Sequence, residues 1–410
     1  MSDHSLIPVF RPSFDDKEIA AVTDVLKSGW IGLGPQTAAF ERAFADYIGV
    51  PHVVSLNSGT AALHLACIAL GLKPGDEVIV PAMTFAATAV APLYVGATPV
   101  FADVEEDTLT LDPEDVRQKI TMRTRAIIPV HYGGTPADME RLMTIATEAN
   151  IPVIEDAAHA CGSSYQGKRI GTHGNLTCYS FHAVKNLAMG DGGMIIPRSE
   201  EEALMLKRLR WVGIDKDTWA RENRNDARYD WYYEIKEVGY KYHPNDISSA
   251  LGLIQLAKLE AGNAKRREIA SAYRNELKKY PWVKLLQLRP DSVTSQHNFV
   301  IRVPEREPLR QFLAHRLIST GVHYMPLTKH PLFEPYTVSL PVTDRVAEEI
   351  LSLPIYPDLT KEDFTRIIQA FADFDKKFLP KFVSTKTQKR KRVPKAHATS
   401  ATAEKTDRRI

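Results

Sequence analysis

The stretch HVVSLNSGTAALHLACIAL, residues 52–70, indicates the architecture of the chain. Its first run, 52–56, is largely apolar with two adjacent valines, which favours a buried strand. A turn that contains Gly59 follows, and the small apolar residues of 60–70 are typical of a packed helix. A strand, a glycine-containing turn and a helix together form the unit from which parallel sheets are built.

The same alternation of short apolar runs and amphipathic stretches continues to about residue 213. The apolar runs are continuous and rich in β-branched residues, as strands covered on both faces should be. We therefore predict an α/β fold with a large, mostly parallel sheet. The predicted strands are 52–56, 77–81, 98–104, 125–132, 151–156, 176–182 and 192–197, and the predicted helices are 60–70, 85–95, 113–120 and 137–148.

The C-terminal part of the chain has the pattern of a small α+β domain. A helical stretch long enough to link two domains comes first, and its apolar positions have helical spacing. The predicted elements are helix 245–279, strand 297–304, helix 308–319, strand 322–326 and helix 361–377. We assign 1–250 to the large domain, 251–380 to the small domain with its linking helix, and 381–410 to a disordered basic tail.

Composition indicates an ordinary globular protein. The chain has 410 residues, of which 44% are hydrophobic and 25% are charged. Its three cysteines form no Cys-x-x-Cys pair, so we expect no disulfide framework, no metal site and a cytoplasmic location. The N-terminus lacks the pattern of a secretory signal. The uncharged segment 78–102 is interrupted by prolines and a glycine, so we predict no membrane span.

The net charge of +2 conceals an uneven distribution. Residues 381–410 contain ten Lys or Arg and two acidic residues, a balance of +8, so residues 1–380 carry 2 − 8 = −6. The tail has too few large apolar residues to fold alone. Its KRKR run, 389–392, could bind nucleic acid or anionic lipid, but a solvated extension is the interpretation that we favour.

Three motifs lie where a parallel sheet binds ligands, at the carboxyl ends of strands. The first, NSGTAAL at 57–63, places Ser58, Gly59 and Thr60 at a helix N-terminus. Free backbone N–H groups there bind phosphate, although the hydroxyls could simply cap the helix. The motif has neither the Gly-Lys-Ser/Thr of a P-loop nor the Gly-x-Gly-x-x-Gly of a dinucleotide fold.

The second motif, IEDAAHA at 154–160, ends an apolar strand with two carboxylates. A buried carboxylate needs a partner, and Asp156 could pair with a protonated heterocyclic nitrogen. His159 could then lie against the same ligand. The alternatives are a helix cap for Asp156 and a hydrogen-bonded core histidine for His159.

The third motif, YSFHAVKN at 179–186, places Lys185 after a strand and before the small residues of NLAMGDGG. A lysine in a dry pocket loses its proton more readily and becomes a nucleophile. Taken alone, Lys185 could equally be a surface lysine. A phosphate cradle, a carboxylate for a ring nitrogen and a lysine for an aldehyde are together the anchors of pyridoxal 5′-phosphate.

With these motifs the chain resembles the DegT/StrS family of sugar-nucleotide aminotransferases. The resemblance covers residues 5–378, and it is nearest to the enzymes that aminate C4 of a UDP-linked keto sugar. It rests on segments that stand in the family's order and spacing: SGWIGLGPQTAAFERAF (28–44), SGTAAL (58–63), EDAAHA (155–160), SFHAVKN (180–186), GDGG (190–193), GYKY (239–242) and VHYMPLTKHPLF (322–333).

The resemblance implies the type I fold of aminotransferases that depend on pyridoxal phosphate, with Lys185 bound to the cofactor. It also implies L-glutamate as amino donor, a nucleotide-linked keto sugar as acceptor, and a homodimer with shared active sites. Implied cofactor contacts are Asp156 at the ring nitrogen, His159 at the phenolic oxygen, Phe85 on the ring face, and Ser58, Gly59, Thr60 and Ser180 at the phosphate.

Other expected contacts are less uniform in the family. Lys241 of the GYKY segment would reach the cofactor of the second subunit, but many relatives have Asn there, and position 243 is His. Trp30, His323 and Tyr324 are candidates to contact the substrate. Two other classes stay open. One is a regulator that senses the cofactor or a sugar nucleotide without turnover. The other is a nucleotide-dependent oxidoreductase, although the chain lacks the glycine fingerprint of that class.

Overall fold

The computed structural model describes residues 5–215 and 233–390, with side chains up to residue 377 in the last helix. The helices are α1 Asp16–Ser28, α2 Pro35–Ile48, α3 Gly59–Ala69, α4 Ala87–Tyr94, α5 Pro113–Lys119, α6 Met139–Glu148, α7 Glu200–Leu209, α8 Asp246–Leu277, α9 Arg306–Ala314, α10 Pro341–Ala347 and α11 Lys361–Arg390. The strands are β1 Val54–Leu56, β2 Glu77–Pro81, β3 Thr98–Ala102, β4 Thr124–Ile127, β5 Ile154–Asp156, β6 Ser164–Tyr165, β7 Lys168–Arg169, β8 Leu176–Ser180, β9 Gly193–Ile196, β10 Lys284–Leu285, β11 Ser292–Val293, β12 Phe299–Arg302 and β13 Ile350–Leu353.

The main sheet has the strand order β3-β2-β4-β5-β8-β9-β1. Hydrogen bonding gives β3-β2-β4 and β5-β8-β9-β1 as two groups, and parallel bridges from Ile127 to Val153 and from Val130 to Asp156 join them. Pairs β2–β3, β2–β4 and β5–β8 are parallel, whereas β9 runs antiparallel to both of its neighbours. The predicted mostly parallel α/β sheet is confirmed.

Helices cover both faces of this sheet. Successive residues of β2 show this, because Ile79 packs in one hydrophobic cluster and Val80 packs in the other. The first cluster includes Phe44 of α2, and the second includes Leu63 of α3. Since successive strand side chains point to opposite faces, the continuous apolar runs of the sequence are explained by burial on both sides.

Helix α8 connects the sheet to the C-terminal part of the chain. Asn245 caps its N-terminus by accepting a hydrogen bond from the N–H of Ser248. Leu259 in the middle of the helix packs in the first cluster of the sheet. Tyr273, near its end, lies in a separate C-terminal core with Phe371. One helix thus contributes to two cores.

The C-terminal core contains two departures from the predicted elements. Strand β12 pairs with β10 and with β13, Ile350–Leu353, which the sequence analysis did not identify. The strand predicted at 322–326 is absent: pairing is limited to a bridge from Gly321 to Ser352, and the carbonyl oxygen of His323 accepts a hydrogen bond from the side chain of Tyr132 instead of from a neighbouring strand. Ile7, near the N-terminus, also packs in this core.

The end of the chain also differs from the prediction. Helix α11 continues to Arg390, so 381–390 are helical rather than part of a disordered tail. Elongating an existing helix adds one hydrogen bond per residue, and Lys, Gln and Arg are good helix formers. The rest of the predicted tail, 391–410, lies outside the described residues. No helix in 5–215 or 233–390 combines the length and apolarity that crossing a membrane requires.

Candidate active site

The three sequence motifs meet at the carboxyl ends of adjacent strands. Asp156 is the last residue of β5, which pairs in parallel with β8. Ser180 ends β8, and Lys185 follows in the turn that leads to β9. Strand β1, beside β9, ends directly before the turn into α3. The order of strands in the sheet therefore brings these distant segments to one edge.

The N-terminus of α3 presents free backbone donors. Ser58 is the N-cap, and its hydroxyl accepts a hydrogen bond from the N–H of Ala61 at 3.1 Å. Capping, one of the two predicted roles for Ser58, is therefore observed. The N–H groups of Gly59 and Thr60 have no acceptor within the described parts of the chain. They are available to an anion, which the helix dipole would also favour.

Close backbone contacts require glycine around this turn. A Cβ on Gly59 would lie 2.8 Å from the Cβ of Ser180, and a Cβ on Gly193 would lie 2.3 Å from the carbonyl oxygen of Ser58. Both distances are too short for a larger residue without rearrangement. The glycines thus place Ser180 directly beside the donors of α3, and its contact with a phosphate stays a prediction.

Asp156 is a buried carboxylate that accepts two hydrogen bonds. Thr88 of α4 donates its hydroxyl to Oδ2 at 2.8 Å, and the N–H of Ala158 donates to Oδ1 at 3.1 Å. Burial nevertheless raises the pKa of Asp156, with these hydrogen bonds and Lys185 acting in the opposite sense. A cation at this position would stabilise the charged form, which is what a protonated ring nitrogen supplies.

Lys185 is partly buried beside this carboxylate. Burial lowers the pKa of its ammonium to about 8, and the charge of Asp156 limits the shift. A cavity of about 270 Å³ adjoins the lysine and is also lined by Asn186, Lys258 and Arg266. At neutral pH about a tenth of Lys185 is then the free amine that adds to an aldehyde, far more than for an ordinary lysine.

His159 and Tyr324 form a second pair of polar groups at the site. The N–H of Gly133 donates to Nδ1 of His159 at 3.3 Å, so a neutral His159 carries its hydrogen on Nε2. That nitrogen lies 3.0 Å from the hydroxyl of Tyr324. Burial, Lys185 and His323 lower the pKa of His159 well below its usual value, so the ring is neutral. His159 can therefore donate to an oxygen at the ring edge.

The segment with His323 and Tyr324 is held against the sheet domain. The hydroxyl of Tyr132 donates to the carbonyl oxygen of His323, and Nδ1 of His323 lies 2.8 Å from the hydroxyl of Ser352. Two of the three predicted substrate candidates, His323 and Tyr324, thus lie near His159, and their contact with a substrate stays a prediction. Phe85 is 59% exposed, with its ring centroid 6.2 Å from that of Tyr324, so it presents a free aromatic face.

Trp30 has a different setting. Its indole N–H donates to the carbonyl oxygen of Leu33 at 3.1 Å, and its ring fills the space that a side chain at Gly34 would need. Gly34 in turn donates its N–H to Asp246, the first residue of α8. These contacts locate Trp30 at the N-terminus of α8, and its role as a substrate contact stays a prediction.

Lys241 is exposed and lies over the ring of Trp211, with its ammonium 3.5 Å from the centroid. The backbone of the GYKY segment is bound to the start of the cradle in the same chain. The N–H of Asn57 donates to the carbonyl oxygen of Tyr242 at 2.7 Å, and its side chain donates to that of Lys241 at 3.3 Å. Lys241 therefore projects from the rim of the site.

Comparison with known proteins agrees with this geometry. Residues 12–372 match the model of the DegT/DnrJ/EryC1/StrS aminotransferase family. An uncharacterized protein of Methanocaldococcus jannaschii, MJ1066, is 40% identical over 380 residues, which are 90% of this chain and 98% of that protein. The chain belongs to the DegT/DnrJ/EryC1/StrS aminotransferase family.

Solved structures of this family have the same fold. DesV of S. venezuelae, in complex with a ketimine intermediate, is 35% identical with a TM-score of 0.82, over 90% of this chain and 99% of that one. The putative sugar aminotransferase Spr1654 of Streptococcus pneumoniae, in its pyridoxal phosphate form, is 32% identical with a TM-score of 0.84, over 91% of this chain and 100% of that one. The predicted type I aminotransferase fold is confirmed.

The enzyme is an aminotransferase that depends on pyridoxal 5′-phosphate. Its own residues fit this cofactor, since bare N–H groups at α3, a buried carboxylate and an amine with a lowered pKa meet at one edge of the sheet. Gly59 and Thr60 would hold the phosphate and Asp156 the ring nitrogen. No group of three or more His, Cys, Asp or Glu able to hold a metal occurs in 5–215 or 233–390.

Sequence reasoning did not identify several residues of the site. Thr88 binds Asp156, Gly133 orients His159, and Asn186 and His297 form part of the packing behind Lys185. Asn186 could have been suspected from its position next to Lys185. His297 precedes the apolar run of β12, and nothing in the local pattern distinguishes it from a core histidine.

We predict that the apoprotein captures pyridoxal phosphate with a rate that follows the ionisation of Lys185. Because burial lowers its pKa to about 8, the free amine fraction and the rate rise with pH and level off above about pH 9. The measurement is stopped-flow absorbance of the lysine-bound cofactor across this pH range. A rate that keeps rising tenfold per pH unit to about pH 10, as for an ordinary lysine, would contradict the assigned environment.

Proposed function

We propose that the enzyme transfers the amino group of L-glutamate to a nucleotide-linked keto sugar. The resemblance of its motifs favours a UDP-linked 4-keto sugar. The observation that carries the proposal is that Lys185, the free donors of α3 and the carboxylate of Asp156 lie at one edge of the sheet. Sugar aminotransferases among the solved relatives, such as Spr1654, support the substrate class. The three cysteines are buried and free, which supports a reducing compartment, the cytoplasm.

The opening of the site supports a large acceptor. Phe85, whose ring lies near that of Tyr324, is 59% exposed. Met325, which follows Tyr324 in the sequence, is 50% exposed. The hydroxyl of Tyr324 contacts Nε2 of His159. An apolar surface with a few fixed polar groups is typical of a small-molecule site.

Each residue has a defined task in the proposed reaction. When bound, the cofactor supplies an aldehyde that captures an amine and a ring that accepts the electron pair left by a departing proton. Asp156 keeps the ring nitrogen protonated, and His159 donates to the phenolic oxygen. Lys185, released by the incoming amine, takes the proton from the α-carbon of glutamate and later returns one to the carbon that bears the new amino group.

The half-reaction with glutamate tests this proposal. Holoenzyme and L-glutamate without a keto sugar should give one equivalent of 2-oxoglutarate per active site, because the amino group stays on the enzyme. Lys185→Ala should lower the rate at least about 10³-fold. Lys168→Ala, an exposed lysine on β7, is the matched control and should react like the wild type.

A panel of keto sugars then identifies the acceptor. The aminated enzyme should give amino sugar with UDP-linked 4-keto sugars and regain its original spectrum, whereas free keto sugars should react poorly because they lack the nucleotide. Reaction with 3-keto sugars or other nucleotides alone would refute the UDP and C4 assignment. If no amino acid yields a keto acid from the holoenzyme, the regulator interpretation replaces the enzymatic one.

We further propose a homodimer in which Lys241 reaches the cofactor phosphate of the other subunit. Support comes from its exposed position at the rim of the site and from exposed apolar residues nearby in the chain, Ile235 at 67% and Val238 at 88%. Exposed apolar side chains contribute to an interface where they form a contiguous patch. Tyr240 and Tyr242 stack on each other and pack against His64, so the loop is held rigidly.

Mixed dimers test this arrangement. Lys185→Ala and Lys241→Ala chains are each defective alone, but a mixed dimer has one site with both lysines if Lys241 acts across the interface. Equal mixing after subunit exchange should restore about a quarter of wild-type activity, because half of the dimers are mixed and each has one intact site. Light scattering checks the dimer itself. If the variants form dimers but their mixture regains no activity, Lys241 acts in the site of its own chain or in neither site.

A further inference from the structure

We propose that Asn186 and His297 form a positioning pair next to Lys185. Asn186 fixes the turn that contains Lys185 and the tautomer of His297. His297 in turn fixes the ring of His159 against the cofactor. The inference rests on Lys185 being the cofactor lysine, and it adds two residues that act through others. The motifs assign neither residue a role, and a hydrogen bond joins the two across 111 residues of sequence.

The hydrogen bonds of Asn186 leave one orientation for its amide. Its Nδ2 donates to Oδ1 of Asn263 at 2.7 Å and to the carbonyl oxygen of Ser295 at 2.9 Å. Nδ2 of Asn263 donates to the carbonyl oxygen of Cys161 at 3.0 Å, which fixes its own Oδ1 toward Asn186. A flipped Asn186 would turn its oxygen toward two acceptors, so its Oδ1 faces His297.

This orientation decides the tautomer of His297. Nδ1 of His297 lies 3.0 Å from Oδ1 of Asn186, and since that oxygen can only accept, Nδ1 carries the hydrogen. The ring is neutral, because burial and the nearby His159, Lys185, Arg266 and His323 all lower the pKa of His297 well below its usual value. A second charge beside Lys185 is thereby avoided.

The ring of His297 also holds His159, the residue expected at the phenolic oxygen of the cofactor. It stacks on His159 with centroids 4.4 Å apart and on Phe10 with centroids 5.4 Å apart, so it is clamped between two rings. His159 is held further by Gly133 and by the hydroxyl of Ser295, which donates to its carbonyl oxygen at 2.7 Å. The same segment, 295–297, therefore supports both the lysine turn and the ring contact.

Asn186→Asp tests the pair with a nearly isosteric change. The aspartate loses both donors and places a negative charge opposite Nδ1 of His297 and near Lys185, so both cationic forms are stabilised. We expect the pKa of His297, followed by NMR in the apoprotein, to rise by at least about one pH unit. The spectral midpoint of the lysine-bound cofactor should also move to higher pH. Because a new charge by itself raises both pKa values, the neutral variant His297→Phe decides whether the hydrogen bond between Asn186 and His297 acts on the site.

Two further variants keep the test decisive. Asn150→Asp makes the same chemical change at the exposed end of α6 and should leave both midpoints unchanged. His297→Phe keeps an aromatic ring against His159 but removes the hydrogen bond to Asn186, so it should shift the spectral midpoint while the fold and cofactor affinity largely persist. It serves if Asn186→Asp fails to fold.

The outcomes separate this inference from the proposed function. Unchanged midpoints in a folded Asn186→Asp protein, or an unchanged spectral midpoint in His297→Phe, would overturn the positioning pair while leaving the aminotransferase intact. A wild type that forms no lysine-bound cofactor at any pH would instead refute the role of Lys185, and the pair with it.

Discussion

The burial of the Asp156 carboxylate without a full counter-charge is the constraint on which the site depends. Ionised groups are costly to bury, and two neutral donors, the hydroxyl of Thr88 and the N–H of Ala158, satisfy its oxygens only partly. The pKa of Asp156 is raised and that of Lys185 is lowered, each mainly by burial. A cationic ring that binds Asp156 and offers an aldehyde to Lys185 relieves both penalties, so the apoprotein is prepared for its cofactor.

The sheet supplies the geometry that this arrangement requires. Strands β5 and β8 are adjacent and parallel, so Asp156 and the turn with Lys185 end at the same edge. Strand β9 returns antiparallel and brings Gly193 against the carbonyl oxygen of Ser58, which places the N-terminus of α3 beside β8. Loops position the reactive groups, but buried strands and glycine contacts determine where those loops begin.

Much of this arrangement could be predicted from the sequence because it is local. The apolar runs of β2 and β5 reflect burial on both faces, and the Ser58–Thr60 turn and the Lys185 turn follow their strands directly. The proposed roles of Asp156 and Lys185 rest on the chemistry of their side chains, on the edge at which they lie and on the resemblance to the family.

Contacts between distant segments could not be predicted. The bond between Asn186 and His297 joins residues 111 positions apart, and no local pattern indicates it. The segment 322–326 has strand-like composition but is fixed by Tyr132 and Ser352 at the site, while Ile350–Leu353 forms the strand instead. Ile7 belongs to the C-terminal core because its backbone pairs with the segment that follows helix α9.

The most direct test of the account is to locate the covalent bond between protein and cofactor. Reduction of the holoenzyme with borohydride makes this bond permanent, and peptide mass mapping then identifies the modified lysine. The account predicts a phosphopyridoxyl group on Lys185 and on no other lysine in stoichiometric amount. Modification of a different lysine, or none in a protein that still binds the cofactor, would contradict the central role of Lys185.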